Sequence, residues 1–292
     1  INALVYHRGQ AGDYDDWAAT GNDGWSYADV MPHFEQLETP PQDDPSAPHL
    51  SVTDNSADFH PMGSNFLEIC RQGQLPVCDA PAREGIGITP YLTTTRDGQR
   101  CSSAKAFLRP AMRRRNLTVV TGAHVSRICF EGKRARSVSY SRKGQDCKVR
   151  AGAEIILAAG AVGSPQILQL SGVGDARYLQ SIGVRSVHDA PHVGQHLQDH
   201  YGINYIFKSK QKTLNDVFGN WPGRMMAGME YVLRRSGPLS LSVNQLGGLV
   251  KTSAQLDRPD TQIYMTPLSY QTFHKGRRKL MKPDNFSGFV LG

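Results

Sequence analysis

The sequence predicts a mixed fold, α/β with α+β, on three observations. Between Asn116 and Ala161 apolar residues recur with period two. At "EIILAAGAVGSPQILQLSGVG", Glu154 to Gly174, an apolar strand passes through Ala-Ala-Gly straight into a helix. Amphipathic helical stretches lie on both sides of that block, and a chain that mixes these periods packs sheet and helix in layers.

Composition narrows the class. A chain of 292 residues accommodates one large or two smaller domains with a buried core. With 39% hydrophobic and 20% charged residues it reads as an ordinary globular chain. No apolar run approaches bilayer length, so it reads as soluble and membrane association is not indicated. The net charge of +7 permits an anionic partner, but the basic residues are scattered. The densest run, Arg109 to Arg115, reads as a solvated helix end, so no nucleic acid is expected. The five cysteines, Cys70, Cys78, Cys101, Cys129 and Cys147, are odd in number and form no Cys-x-x-Cys pair. Neither a zinc site nor a disulfide framework is indicated, and a reducing, cytoplasmic compartment is the expectation. The sequons at Asn116 and Asn285 weigh little without a secretory signal. Ile1 is not a translation start, so targeting information preceding it would not be visible.

Along the chain, Ser26 caps an amphipathic helix expected from Tyr27 to Leu37. "TPPQDDPSAP", Thr39 to Pro48, is a surface connection. "GSNFLEICRQG" reads as a helix with Phe66, Leu67, Ile69 and Cys70 on its apolar side and Gly73 as its stop. "GIGITPYLTTTRDGQRC" alternates as a strand and turns at Asp97-Gly98 before a short helix that precedes Pro110. "LTVVTGAHVSRICF" is a strand, "RARSVSYSRKG" a hairpin, and "KVRAGAEIILAAG" a buried strand. The helix that follows is expected from Pro165, with Ile167, Leu168 and Leu170 against a core and Gly172 and Gly174 closing it. Further on, "WPGRMMAGMEYVLRRSG" is a helix, while "INYIFKS", "GGLVKT" and "TQIYMTP" are strands.

Three chemical readings are set aside. His188, His192, His196 and His200 recur every four residues as a metal-binding helix face would, but Pro191 and Gly194 break that helix. Gly163 and Ser164 lack the second glycine of a nucleophile elbow, Gln166 standing in its place. Met225, Met226 and Met229 read as helix packing rather than a partner groove.

Gly160, Ala161, Ser164, Pro165, Ile167, Leu168, Ser171, Gly172, Val173 and Gly174 fit the second signature of the glucose-methanol-choline (GMC) oxidoreductase family, and Ile1, Asn2, Tyr6, Gly9 and Asp15 fit the back half of its first. "GWSYADVMPHFEQLE", "RCSSAKAFLRPAMRRRNLTVVTGAHVSRI" and "VGQHLQDH" resemble family text in the same order, and the likeness is to the choline and alcohol dehydrogenase branch. It extends from Ile1 to about His200, and more faintly through "SGPLSLSVNQLGGLV".

The resemblance implies part of a three-layer FAD/NAD(P)-binding domain plus part of a substrate domain with an antiparallel sheet. Residues 1–60 would belong to the flavin-binding and flavin-lid portion, 61–115 to a substrate-domain insertion, 116–175 to flavin-domain strands and helix, and 176–292 to an incomplete substrate domain. It implies FAD as cofactor, with Asn2, Ala3, Leu4 and Val5 along the flavin and pyrophosphate and Val125 at the adenine. Ile1 stands where covalently flavinylated relatives carry histidine, so the flavin is expected to be non-covalent. The small residues Ala158, Ala159 and Gly160 would let backbone pass close to the cofactor, with Ser164 and Pro165 starting the helix behind it. The implied activity is oxidation of a primary alcohol, choline-like or other, by proton abstraction and hydride transfer to flavin. The family's Gly-x-Gly-x-x-Gly motif and its catalytic His with a His or Asn partner match nothing in this sequence, so no catalytic residue is assigned. Two other functions stay open: a folded fragment or interaction module without catalysis, and a hydroxynitrile lyase-like relative.

Overall fold

The computed structural model describes residues 2–44, 46–275 and 278–292. The chain divides into two compact units, Ile1–Arg114 with Gly202–Gly292, and Arg115–Tyr201.

The first unit is built on a five-stranded antiparallel sheet in the order Tyr205–Lys208, Gly288–Leu291, Thr261–Thr266, Leu246–Val250 and Thr89–Pro90. Met62, Phe66 and Cys70 lie one helical turn apart, so the helix Met62–Gln72 buries one face against Ile88, Leu246, Val250 and Met265 of the sheet region. Helix and sheet approach closely because position 63 is glycine: a Cβ there would come within 2.6 Å of Leu246 Cδ1. Ile69, expected on the apolar side, points outward, since the buried face follows the 62-66-70 row.

Local signals in the sequence act as expected where they are self-contained. Ser26 caps the helix Tyr27–Glu38 in a reciprocal box with Asp29. Asp97 and Gly98 both take positive φ between the paired strands Thr95–Arg96 and Gln99–Arg100, the backbone of a two-residue hairpin turn. Asn220 accepts the Gly223 amide at 2.7 Å and Pro222 occupies the first turn, which starts the helix Trp221–Arg234. The helical segment expected before Pro110 runs on through it to Ala111.

The second unit is a three-stranded antiparallel sheet, Ala123–Glu131, Arg134–Arg142 and Gln145–Arg150, with the helix Gly160–Leu170 against its first strand. Ser171 fastens the two by accepting the Ile128 amide at 2.8 Å. The helix closes at Gly172, with φ +89 and an N–H donated to Gln169.

Two strand expectations are corrected here. Leu117–Thr121 and the run from Glu154 to Ala158 have no regular secondary structure and belong to no ladder, and Ile156 is 81% exposed. An apolar extended run becomes a strand only where a neighbour meets its N–H and C=O groups. Among the described residues neither run has one.

Candidate functional site

Backbone geometry departs from side-chain preference where the chain begins. Ala3 has φ 39 and Leu4 φ 70, both left-handed. For a residue with a Cβ this costs about 1–2 kcal/mol and persists only where the surroundings enforce it. Here they do. Ser242 donates its hydroxyl to the Ala3 carbonyl at 2.6 Å, and the Thr94 amide donates to the Leu4 carbonyl at 2.8 Å. Val5 bridges Thr93 antiparallel, and the Tyr6 amide reaches the Leu92 carbonyl at 2.9 Å. Ala3, Leu4 and Val5 are therefore brought together as a fixed, half-buried edge with both left-handed carbonyls turned onto protein donors. The Asn2 side chain and Ile1 fall outside the described residues.

The next three residues anchor that edge. Arg8 donates Nε and Nη2 to the two oxygens of Glu38 at 2.8 Å each, Arg83 donates Nε at 2.8 Å, and the Tyr6 hydroxyl donates as well. Burial pushes the Glu38 carboxyl up, but hydrogen bonds from Arg8, Tyr6 and Arg83 outweigh it and hold the group down at about 2. Burial and the Glu38 carboxylate together raise the Tyr6 phenol. His7 turns the other way, its ring edge-on to Tyr91 at 5.0 Å and a Cβ's breadth from Gly85. Burial lowers its pKa, and its Nε2 is enclosed with no hydrogen-bond partner among the described residues. Tyr6 was named from the sequence only as part of the family's first signature, and Arg8, Glu38 and Arg83 were not singled out. Their pairings span 30 or more residues and leave no local periodic trace.

Val125 lies in the second unit, half-buried and opposite Tyr140 in the edge strand of its sheet, where a register shift follows it before Arg127. The bulge re-aims side chains locally, and an edge strand keeps one row of backbone groups clear of the ladder. In the same unit the helix begins at Gly160 rather than Ser164. Ser164 instead accepts the Ala159 amide at 3.0 Å, reaching back to tie the turn. Gly160 has φ +85, and a Cβ built there would meet nothing within 4 Å, so the turn is open on that side. Ile167 and Leu168 are half-buried and Leu170 is exposed, so the helix is less enclosed than expected.

The four spaced histidines do not share a helix. His188 is in a short strand parallel to Val173–Gly174, and His196 has positive φ. Met225, Met226 and Met229 are exposed rather than packed, which corrects the expectation that they fill a helix interface.

The chain is a mixed helix-and-sheet fold, with a strained, pinned edge at Ala3 and Leu4 in one unit and a helix-starting turn open at Gly160 in the other. Its family follows from comparison: residues 1–202 match the GMC oxidoreductase family model, and the chain belongs to that family. It is 36% identical over 278 residues to the alcohol dehydrogenase [acceptor] of Pseudomonas putida, covering 91% of this chain and 50% of that protein. It is 35% identical over 279 residues to the oxygen-dependent choline dehydrogenase of Pseudomonas syringae pv. syringae, covering 92% and 49%. The chain thus spans about half the length of these relatives. Formate oxidase superposes with a TM-score of 0.83 at 19% identity over all of this chain and 56% of its own, a likeness of fold. An FAD-dependent oxidoreductase from Chaetomium thermophilum gives 0.71 at 27% identity over 85% of this chain and 47% of its own.

Proposed function

We propose that the chain carries parts of the cofactor-binding and substrate-binding portions of an FAD-dependent oxidoreductase that oxidises a small primary alcohol, choline-like or other. On this reading residues 1–60 and 116–175 belong to the flavin-binding portion, and 61–115 and 176–292 to the substrate portion. The observation that carries it is the left-handed backbone at Ala3 and Leu4, held by Ser242 and Thr94. A flat ring needs a rigid, thin edge of main chain, and strain kept at one short segment is what such an edge leaves behind. The open side of Gly160 fits the same requirement.

Asn2, Ala3, Leu4 and Val5 would lie along the flavin and pyrophosphate with main-chain amides donating, and Val125 would flank the adenine. Bound non-covalently, FAD supplies the acceptor for a hydride from the alcohol carbon. The Glu38 cluster keeps the edge in register by anchoring Tyr6 and Arg8 immediately beyond it. The chain is incubated with FAD, desalted and scanned across the flavin absorption bands. Retained absorbance with altered band shape is the expected result. A colourless chain together with a flavin-free, gently isolated full-length parent would overturn the proposal.

A further inference from the structure

The edge formed by Ala3, Leu4 and Val5 rests on a layer of polar side chains inside the first unit. Thr94 holds the left-handed Leu4 with two donors, its amide at 2.8 Å and its hydroxyl at 3.3 Å from the Leu4 carbonyl. Its neighbours Thr93 and Thr95 are 0% and 2% exposed, and their hydroxyls meet at 3.0 Å. The strands that carry them are short. Thr53–Asp54 pairs with Leu92–Thr93 over two residues, and Val5 joins Thr93 by a single bridge. Ladders of that length are weak by themselves, so side chains must fix the position of Thr94.

Asn55 closes this layer. Its Nδ2 donates to Thr93 Oγ1 at 2.7 Å and to Thr95 Oγ1 at 3.1 Å, which uses both hydrogens of the amide. Thr53 completes it by donating its hydroxyl to the Thr95 carbonyl at 2.7 Å and accepting the Thr93 hydroxyl on its own carbonyl at 3.4 Å. Asn55 stands before the short helical turn Ser56–Asp58, where asparagine ordinarily accepts the turn's own amides. Here it makes no such cap, and Asp54 accepts the Ser56 amide at 2.8 Å instead. The local preference is given up, and the side chain is committed to threonines 38 and 40 residues away. Removing it leaves two enclosed hydroxyls without their donor on either side of Thr94.

We propose that Asn55 is a positioning residue for the cofactor edge: through Thr93 and Thr95 it fixes Thr94, and through Thr94 it fixes the carbonyl of Leu4. This role rests on the flavin reading of Ala3 to Val5, and Asn55 acts there only through other residues. A supporting layer of this kind decides whether a binding segment is held closely enough to its productive geometry.

The test compares variants of the full-length parent titrated with FAD, alongside the flavin-free 292-residue chain. In Asn55→Ala the parent's Kd for FAD, measured on folded protein below the thermal transition, should rise at least about tenfold. Thr95→Val, which keeps the shape without the oxygen, should do the same, whereas Thr95→Ser, which keeps the oxygen, should retain the affinity. Phe66→Leu, in the core between helix and sheet, should lower the thermal midpoint and leave the Kd unchanged. In the flavin-free chain, hydrogen exchange at the Thr94 amide should quicken at least about tenfold in Asn55→Ala and Thr95→Val, and far less in Phe66→Leu. Unchanged affinity in Asn55→Ala and Thr95→Val, equal losses in Thr95→Ser and Thr95→Val, or an unaltered Thr94 amide would each overturn the role of Asn55 and leave the flavin reading standing. A wild-type parent that binds no FAD would overturn that reading and this role with it.

Discussion

Arg8 and Glu38, 30 residues apart in sequence, meet as a bidentate pair with both N···O distances at 2.8 Å and side chains only 8% and 2% exposed. The carboxylate also accepts from Tyr6 and Arg83, so its lone pairs are used on three partners. Such a cluster joins the end of the helix Tyr27–Glu38 to the segment Tyr6–Arg8 that follows the left-handed residues Ala3 and Leu4. Its loss leaves buried groups unpaired rather than merely removing one contact.

Glu38→Ala should therefore destabilise the first unit by roughly 3 kcal/mol or more, because Arg8 and Tyr6 remain buried without their acceptor. Urea unfolding followed by circular dichroism measures it. A loss below about 1 kcal/mol would mean that water replaces the carboxylate readily.

The same carboxylate sets an acid limit. Its value falls from 4.5 to about 2 on folding. A depressed acid contributes stability that is fully present above its unfolded value and disappears as pH drops through the folded one. The contribution should be complete above pH 4.5 and fade between 4.5 and 2, amounting to about 3 kcal/mol at most. In Glu38→Gln the denaturation midpoint should lose part of its slope across that window, the remainder coming from Asp216 and the other carboxylates held low.

His7 acts with the opposite charge and in a milder range. Burial lowers it from 6.5, so the unfolded chain takes up the proton first and stability falls as pH drops below 6.5. His60, lowered by burial against the pull of Asp216, adds a slope of the same sign. His7→Phe should flatten part of the thermal midpoint's pH dependence just below 6.5, and His7→Phe with His60→Leu should flatten more. An unchanged slope in the double variant would place the proton uptake elsewhere.

Gly248 supports the sheet by having no side chain. A Cβ there would fall inside contact distance of the Gly87 carbonyl, which is backbone held by the Gly87 amide on Leu249. Gly248→Ala should cost at least about 2 kcal/mol and lower the thermal midpoint by several degrees, roughly 2–4 °C per kcal/mol in a chain of this size. Gly122→Ala, with open space around it but φ +64, should cost only about 1 kcal/mol.

Ala3 tests the proposed cofactor edge. Ala3→Gly removes the left-handed penalty and should stabilise the fold by up to about 1 kcal/mol. Ala3→Val adds β-branching to a left-handed residue and thickens the edge. Flavin retention after desalting should drop at least about tenfold in Ala3→Val and survive in Ala3→Gly.

What the sequence determined by itself is what short stretches encode: the Ser26 cap, the Asp97-Gly98 turn, the Gly172 stop of a helix, and the family signature from Gly160 to Gly174. Each depends on residues a few positions apart, whose backbone preferences need no partner. Tertiary structure decided the rest. Met225, Met226 and Met229 read as packing from the sequence, but which face of Trp221–Arg234 meets solvent depends on what packs against Ala227. Alternation made Glu154–Ala158 read as a strand, but a ladder requires a neighbour. The left-handed turn at Ala3 and Leu4 has no signal in an Ala-Leu pair, because Ser242 and Thr94, contributed from 239 and 90 residues away, impose it. The pairing of Arg8 with Glu38 is equally silent, since charge complementarity acts through space and composition records only that both charges exist.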